Sequence, residues 1–246
     1  MADPSTSSGE ALQGEAKRRY VSDLFSRIAP RYDLMNTLMT AGMHHRWRGV
    51  AAEIATRGLE GIALDVATGT GDLAFALTRA RGIKQVVGLD FLPKMVARAR
   101  AKARDRGLED RAQFIVGDAL SLPFPDDSFA CATSGWGLRN VPDLRRSLEE
   151  MVRVVRPGGR VVSLESMPVE QSSFRPLFRL FFHQVVPLMG QLIARDRAAY
   201  TYLPRSVDRF LTVDALAQLF EEVGLKDVSY RRMGLGAVAV HWGTKP

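Results

Sequence analysis

The sequence predicts an α/β fold built on a doubly wound, mostly parallel sheet of seven strands. Five short apolar runs alternate with helical segments between residues 63 and 165. This alternation is typical of right-handed βαβ units, which place their strands side by side in a parallel sheet. A further helical segment and two apolar runs near the C-terminus suit a closing hairpin. The chain has 246 residues and is 46% hydrophobic, which is enough apolar material for one such core.

The first predicted strand covers residues 63–67 and runs into a turn that contains Gly69 and Gly71. Because glycine has no Cβ, these positions permit positive φ angles and let a ligand approach the backbone closely. The next predicted helix, over 72–81, begins at this turn, and its N-terminus favours an anionic group. We therefore expect Asp65, Gly69 and Gly71 to belong to a cofactor cradle.

The remaining elements follow from apolar runs and from the positions of glycine and proline. In chain order they are a strand over 86–90, a helix over 93–106, strands over 113–117 and 128–134, a helix over 142–155, a strand over 160–165, a helix over 213–223, and strands over 226–233 and 237–242. Pro93 suits the first turn of its helix. The Pro-Gly-Gly sequence at 157–159 ends a helix before the fifth strand, and Gly234 and Gly236 provide the turn of the hairpin.

An aspartate stands at the end of each of the first three predicted strands. These residues are Asp65, Asp90 and Asp118. In a doubly wound sheet the carboxyl ends of the strands border one crevice, so the three side chains are expected to gather along one edge. One acid at each strand end favours a cofactor site. The alternative is that each aspartate only caps the helix that follows it.

The glycine turn also resembles a dinucleotide fingerprint. It reads Gly-x-Gly-x-x-Ala, and Asp90 follows Gly71 by 19 positions. Asp72 favours a different ligand, because a carboxylate in the first helical turn repels a pyrophosphate and attracts the ammonium and sulfonium of S-adenosylmethionine. Asp90 suits both ligands, since its oxygens can accept hydrogen bonds from a ribose diol. The charge of Asp72 therefore favours the methyl donor over the dinucleotide.

Three segments lie outside the strand and helix alternation. Residues 1–19 are expected to form a disordered tail, 20–61 a helical cap over the crevice, and 167–208 a helical insertion, with 20–246 forming a single domain. The insertion carries Phe174, Phe178, Phe181, Phe182, Tyr200, Tyr202, Arg175, Arg179, Arg195 and Arg197. These side chains are expected either to line an apolar tunnel and touch a membrane surface, or to pack on the sheet.

The chain is basic, with 34 Lys and Arg against 27 Asp and Glu, a net charge of +7 and a pI near 9.9. This balance raises the possibility of a nucleic-acid partner, but the basic residues are scattered and no basic run is interleaved with aromatics. Anionic lipid headgroups suit this positive charge at least as well as nucleic acid does. We therefore predict no nucleic-acid partner and a possible contact with a membrane surface.

Cysteine and histidine usage argues against disulfides and metals. Cys131 is the single cysteine and lies in an apolar stretch, so it is expected to be a small core residue. The four histidines show no spacing typical of metal ligands. No segment supplies the ~20 uninterrupted apolar residues of a spanning helix. We expect a cytoplasmic protein that is either soluble or peripheral at the inner face of the membrane.

Several longer motifs resemble the menaquinone and ubiquinone C-methyltransferase family. Residues 32–47 (YDLMNTLMTAGMHHRW) resemble its first signature, and residues 153–166 (RVVRPGGRVVSLES) resemble its second. The stretches 137–143, 202–206 and 239–245 are also similar, so the resemblance runs from about residue 21 to the C-terminus. It implies a class I, Rossmann-like methyltransferase that uses S-adenosylmethionine and no metal.

The resemblance implies a donor site and an acceptor site. Donor residues would be Thr70, Asp90, Asp118, Ala119 and Gly135, where Gly135 stands in place of a serine common in the family. The implied acceptor and catalytic residues are Tyr32, Asp33, His44, Arg139 and Asn140, with Asn36 in the same cap. A cation such as the Arg139 guanidinium stabilises developing negative charge on a quinol oxygen. The alternatives are that Arg139 only pairs with Asp143 and that His44 is structural rather than a base.

The implied reaction is methylation of a ring carbon of a prenylated naphthoquinol, which converts demethylmenaquinol to menaquinol. Positioning that carbon in line with the methyl group, in a site that excludes water, is the main task of such an enzyme. The alternatives are the prenylated benzoquinol of ubiquinone biosynthesis, another small-molecule acceptor, a non-catalytic donor-binding module, and a nucleic-acid methyltransferase. A homodimer that buries part of the apolar insertion is also possible.

Overall fold

The computed structural model describes residues 14–169 and 175–246. Its seven strands form one sheet in the order β3-β2-β1-β4-β5-β7-β6. The strands are β1 Gly61–Val66, β2 Ile83–Asp90, β3 Ala112–Val116, β4 Phe129–Gly135, β5 Val155–Ser166, β6 Lys226–Met233 and β7 Val238–Thr244. All neighbours are parallel except β7, which is antiparallel to β5 and β6. The predicted fold class is confirmed, including its closing hairpin.

The described residues form ten α-helices. They are α1 Gly14–Ile28, α2 Tyr32–Thr40, α3 Met43–Thr56, α4 Asp72–Leu77, α5 Pro93–Asp105, α6 Leu144–Val154, α7 Arg175–Leu180, α8 Val186–Met189, α9 Arg197–Asp208 and α10 Val213–Glu222. The strand order changes direction between β1 and β4. Such a switch point opens a crevice at the carboxyl ends of the strands, where ligands bind.

Each face of the sheet has its own apolar core. On one face α3, α4 and α5 pack around Phe75 and Phe114. On the other face α6 and α10 contribute Leu148, Met151 and Phe220. Because both faces are covered, most side chains of the central strands β1 and β4 are buried, as is usual for parallel strands of this class.

Strand β5 begins earlier than the sequence predicts. It starts at Val155 and includes the Pro-Gly-Gly sequence, because β4 continues to pair upstream of residue 160. The register shifts between the pairs Phe129–Val155 and Cys131–Arg160, and Gly158 takes a φ of +75° within this irregular stretch. The proline and glycines therefore form a bulge in the strand and not a separate turn before it.

The disordered tail predicted over 1–19 is wrong for its last six residues, because α1 begins at Gly14. This part of the tail contains the good helix formers Glu, Ala, Lys and Arg. It is also held by long-range contacts: Lys17 donates to the carbonyls of Arg139 and Val141 at 3.2 and 2.7 Å. Residues 1–13 lie outside the described residues.

The predicted insertion contains α7, α8 and α9, joined by π-helical turns at Phe181–Val185 and Gly190–Ala194. Its aromatic residues pack with α1 and α2: Tyr200 and Tyr202 share one cluster with Leu24 and Met35. The expectation that they pack on the sheet is therefore replaced by packing against the N-terminal helices. Residues 170–174, including Phe174, lie outside the described residues.

Candidate active site

Asp90 ends β2 at the sheet edge, and both of its carboxylate oxygens accept backbone hydrogen bonds. Gly69 N donates to Oδ2 at 2.8 Å, and Leu92 N donates to Oδ1 at 2.9 Å. Each oxygen keeps a second lone pair. Burial raises the pKa of Asp90 to about 6. The carboxylate is thus held in one orientation at the mouth of the glycine turn, ready to accept two further hydrogen bonds.

Asp65 is the last residue but one of β1, and its carboxylate supports the glycine turn. The Thr68 and Thr133 hydroxyls donate to its two oxygens at 2.6 and 2.8 Å, and only 1% of the residue is exposed. Burial raises the pKa of Asp65 to about 6, although the two hydroxyl hydrogen bonds oppose this change. Its carboxylate therefore links β1, the turn and β4.

The glycine turn requires both of its glycines, for different reasons. Gly69 and Gly71 take φ angles of +56° and +86°, which L side chains rarely adopt. A Cβ on Gly71 would lie 2.8 Å from Phe114 Cζ. Gly71 therefore allows the turn to pack against the core. Unlike Gly69, it does not line the notch at the sheet edge.

A notch at the sheet edge is lined by the other predicted cofactor residues. They are Asp65, Gly69, Thr70, Asp90, Asp118, Ala119 and Gly135. Helix α1 covers this sheet-edge notch, since Arg18, Val21 and Phe25 also line it and Arg18 pairs with Asp118 at 3.0 Å. A Cβ on Gly135 would lie 3.1 Å from Leu73 Cδ2, so the glycine leaves room for this leucine.

Asp33 points to the glycine turn and not to the acceptor side of the site. Its Oδ1 accepts a hydrogen bond from Thr70 Oγ1 at 2.6 Å, and its Oδ2 lies 3.1 Å from Lys102 Nζ. Lys102 also donates to Thr70 Oγ1 and to Asp72. These contacts fasten α2 to the turn that follows β1.

The negative charge of Asp72 is balanced within the protein. Lys102, Arg48 and Arg106 all lie within ion-pair distance of its carboxylate. Burial alone would raise the pKa of Asp72, but Lys102 and Arg48 hold it below its usual range. The charge of Asp72 therefore does not select a cationic ligand, although the sequence had indicated that it would.

An apolar cavity of about 740 Å³ lies beside the sheet-edge notch, under α1, α2 and the helices of the predicted insertion. Its apolar wall includes Leu24, Ile28, Met39, Trp47, Phe181, Phe182, Leu203 and Val238. Five residues line both this apolar cavity and the sheet-edge notch: Phe25, Tyr32, Arg48, Trp136 and Asn140. A polar ligand in the notch and an apolar ligand in the cavity would therefore meet at these five side chains.

Arg139 forms a buried ion pair with Glu165 at the end of β5. Arg139 Nη1 lies 2.6 Å from Glu165 Oε2 and also donates to the Trp136 carbonyl at 3.0 Å. Burial raises the pKa of Glu165, and Arg139 opposes this change. The predicted alternative partner, Asp143, instead accepts from the backbone of Arg146 and caps α6. Arg139 Nε is buried without a hydrogen-bond partner among the described residues and belongs to a residue that lines the apolar cavity.

Asn140 connects the loop after β4 to α9. Its Nδ2 donates to the Trp136 carbonyl, and its Oδ1 accepts a hydrogen bond from Tyr202 OH, each at 3.2 Å. Tyr32 stands nearby on α2, and burial raises the pKa of its hydroxyl. At neutral pH Tyr32 is therefore protonated and can donate a hydrogen bond.

His44 lines the apolar cavity but is engaged on both ring nitrogens. Nε2 contacts Thr37 Oγ1 at 3.2 Å, and Nδ1 faces the guanidinium of Arg48. Because guanidinium only donates, Nδ1 must accept, which leaves Nε2 protonated. Burial and then Arg48 lower the pKa of His44 to about 4. In this arrangement His44 has no free lone pair with which to take a proton.

Comparison with known proteins shows the family to which this chain belongs. A model of the ubiE/COQ5 methyltransferase family matches residues 13–245. The chain belongs to this family. It is 44% identical over 223 residues to a demethylmenaquinone methyltransferase from Thermus thermophilus, and the aligned residues cover 91% of this chain and 100% of that relative. It is 40% identical to a ubiquinone/menaquinone biosynthesis C-methyltransferase from Desulfotalea psychrophila, over 92% of this chain and 90% of that relative.

The fold agrees with this membership. A solved structure from Thermotoga maritima, described as an S-adenosylmethionine-dependent methyltransferase, superposes with a TM-score of 0.65 and 19% identity, covering 92% of this chain and 99% of that one. At that identity the likeness concerns the fold alone. Family membership settles the earlier alternatives: the chain is a methyltransferase and neither a dinucleotide enzyme nor a non-catalytic module.

Sequence reasoning missed the residues that hold the predicted ones in place. Arg48 reaches Asp72, His44 and the face of Trp136, with its guanidinium 4.8 Å from the Trp136 ring. The spacing of Arg48 four residues after His44 was a usable signal, since such pairs meet on a helix. Glu165, a lone acid in an apolar strand, was another. Lys102 had no signal, because α5 carries many basic residues.

A metal-binding cluster and a membrane-spanning helix are both absent from the described ranges 14–169 and 175–246. No cluster of three or more His, Cys, Asp or Glu side chains there has an arrangement that would hold a metal ion. No helix in those ranges is both long and apolar enough to cross a membrane.

Proposed function

We propose that this methyltransferase moves a methyl group from S-adenosylmethionine to a ring carbon of demethylmenaquinol, the prenylated naphthoquinol, in a late step of menaquinone biosynthesis. One observation carries the proposal: a polar notch at the sheet edge and a large apolar cavity share a wall of five side chains. The relative from Thermus thermophilus bears the name of this activity.

The sheet-edge notch has the groups that the donor requires. Asp90 offers two oriented acceptors to the ribose hydroxyls, and the glycine turn leaves its backbone open for close approach. When bound, S-adenosylmethionine supplies an electrophilic methyl group on a positively charged sulfur. Asp118 and Ala119 border the same notch, and we assign them to the adenine side of the donor.

The apolar cavity suits a quinol headgroup with a prenyl tail. Arg139, Tyr32 and Asn140 are among the polar residues that line this cavity, and we assign Arg139 Nε, the Tyr32 hydroxyl and the Asn140 amide to contact with the quinol ring. The unpartnered Nε of Arg139 can donate to a quinol oxygen and stabilise the negative charge that develops there. Because Glu165 already balances the Arg139 charge, directed hydrogen bonding contributes more than net charge.

Among the cap residues predicted to be catalytic, we assign Asp33 and His44 to positioning. Asp33 binds the glycine turn through Thr70, and His44 has both nitrogens engaged. Tyr32, Arg139 and Asn140 remain the residues proposed to touch the substrate. A water molecule held by these groups is the proposed route for the quinol proton.

The test is a methyl-transfer assay with radiolabelled donor and a panel of reduced prenyl quinones. We expect incorporation into demethylmenaquinol and a Michaelis constant at least tenfold higher for the demethyl benzoquinol, the alternative acceptor suggested by the name of the Desulfotalea psychrophila relative. Arg139→Ala should remove turnover and leave donor affinity unchanged by calorimetry. Incorporation into neither quinol, by protein that still binds the donor, would overturn the proposal.

We also propose that the protein works in the cytoplasm at the inner face of the membrane, where a prenylated substrate resides. A homodimer is the alternative use of its exposed apolar surface. Sedimentation velocity of the full chain distinguishes the monomer from the dimer.

A further inference from the structure

Exposed apolar side chains are concentrated in three segments of the chain. Of ten large exposed hydrophobic residues among those described, eight are Leu34, Leu38, Met43, Leu180, Val185, Leu188, Leu192 and Leu235. Leu192 and Leu235 are 71% and 74% exposed. Leu34 and Leu38, like Leu188 and Leu192, are four residues apart and so share one side of their helical segment. Such clustering is unusual on a water-exposed surface and indicates a contact site.

All three segments contribute residues to the lining of the apolar cavity. Helix α2 packs against the Gly190–Ala194 turn, and the Arg31 guanidinium donates to the Ile193 carbonyl. The turn of the β6–β7 hairpin approaches α3, because a Cβ on Gly234 would lie 3.0 Å from Trp47. Three of the eight residues, Leu38, Met43 and Leu235, line the cavity itself. The exposed apolar surface is thus continuous with the cavity wall.

Basic residues outnumber acids in the first two of these segments, although Asp23, Glu53 and Asp208 lie at their ends. The only acid between residues 24 and 52 is Asp33, which is paired with Lys102. Between residues 175 and 207 it is Asp196, which is paired with Arg27. The basic residues of these stretches include Arg31, Arg46, Arg179, Arg195 and Arg197. An apolar surface on segments with such an excess of arginines complements the headgroups of anionic lipids.

We propose that the eight apolar residues form a docking face that inserts into a bilayer containing anionic lipid, with the cavity opening directed into the acyl chains. The inference rests on the proposed function only for the identity of the methyl acceptor, a prenylated quinol. The prenyl tail then passes from the bilayer into the apolar cavity without crossing water. In this arrangement the polar donor enters the sheet-edge notch from the aqueous side.

The experiment uses flotation of the full-length protein with phosphatidylcholine vesicles, with and without phosphatidylglycerol. We expect binding to the anionic vesicles, weakened by added salt, and little binding to the neutral ones. Leu192→Gln should lower the partition coefficient about tenfold or more, since it removes an inserted side chain. Ile62→Gln is the matched control: Ile62 is an exposed apolar residue at the start of β1, outside the docking face, and its loss should leave binding unchanged.

A second readout separates this inference from the proposed function. Both variants should methylate a short-chain, water-soluble quinol at the wild-type rate, and only Leu192→Gln should lose activity on substrate embedded in vesicles. Equal vesicle binding by Leu192→Gln and wild type would overturn the docking face. Absence of wild-type binding, with Leu192→Gln converting a dimer to a monomer in sedimentation velocity, would overturn it in favour of an interface between two copies.

Discussion

At the residue scale, the Arg139–Glu165 pair shows how the fold prepares a polar group inside an apolar site. The two side chains are nearly inaccessible, and the contact of 2.6 Å holds one end of the guanidinium fork. The other end, Nε, has no hydrogen-bond partner within residues 14–169 and 175–246. A buried ion pair contributes little net stability, but it fixes the direction of the donor that remains.

We predict that Glu165→Gln acts through the position of Arg139. Loss of the carboxylate leaves a buried cation without its partner, so the free energy of unfolding should fall by about 3 kcal/mol. The turnover number should fall more than tenfold with the donor KM unchanged, because the donor site is elsewhere. Denaturant unfolding and steady-state kinetics measure both effects.

The control for that variant is Glu149→Gln, an exposed acid of α6 whose contact with Arg146 is 3.8 Å. It should change neither quantity, since exposed pairs of this kind contribute little. Loss of stability in Glu165→Gln with a normal turnover number would show that the pair is only structural.

At the element scale, close packing between helices depends on single small residues. Gly190 ends α8 with helical dihedral angles, and a Cβ there would lie 2.4 Å from the ring of Tyr200 on α9. Gly49 lies on the exposed side of α3, where an added Cβ would meet no other part of the protein within 4 Å. The same substitution therefore has opposite consequences in the two helices.

We predict that Gly190→Ala lowers the free energy of unfolding by about 1–3 kcal/mol because the extra methyl group is forced into a filled contact. Gly49→Ala, its matched control, should raise it by about 0.5–1 kcal/mol, because alanine loses less backbone entropy in a helix. Thermal and denaturant unfolding measure both. Equal effects of the two substitutions would contradict this packing.

The joint between β7 and α10 is predicted to depend on pH through His241. Its Nε2 donates to the Val213 carbonyl at 2.9 Å, and burial lowers the pKa of His241 to about 4 although that carbonyl opposes the change. Below pH ~6.5 the unfolded chain protonates this histidine first. The folded state therefore loses stability as the pH falls from about 6.5 to 4.

Between pH 7 and pH 5 the contribution of His241 amounts to about 2 kcal/mol. Asp65 and Asp90, whose folded pKa values are about 6, act in the opposite direction over the same range. The expected result is therefore a difference: wild type should lose more stability than His241→Gln when the pH is lowered. Parallel pH dependences of the two proteins would exclude a buried neutral His241.

At the scale of the whole molecule, the candidate active site lies between two parts of the chain, the edge of the sheet and a cover of helices. The sheet edge supplies the glycine turn and Asp90, whereas α1, α2 and the helices after β5 supply the cover. The contacts between Arg18 and Asp118 and between Asp33 and Thr70 join the two parts directly at donor residues.

We predict that the reaction product S-adenosylhomocysteine slows amide hydrogen exchange in α1 and in the turn at 67–71. Saturation at 100 times Kd stabilises the bound form by about 2.7 kcal/mol, which corresponds to about 100-fold slower exchange for openings that release the ligand. Amides of the edge strand β6 exchange by local opening and should serve as the unchanged reference. Protection confined to α10, or absent from α1, would contradict the placement of α1 over the notch.

Much of the fold and the location of the candidate site could be predicted from the sequence alone. The alternation of apolar runs with helical segments encodes the parallel sheet, and the glycines of the turn encode their own positive φ angles, because these depend on neighbours a few residues away. The signature at 32–47 and the acids at the strand ends indicated the family and the edge where the site lies.

Only the tertiary structure decided which side chains meet. Thr70 donates to Asp33, which lies 37 positions earlier in the chain, and Lys102 donates to both. Arg139 pairs with Glu165 and not with Asp143, although Asp143 is closer to it in the sequence. Such partners depend on which strands lie together and which helix covers them. Pair energies between distant residues are set by burial and distance, and neither quantity can be read from the order of the residues along the chain.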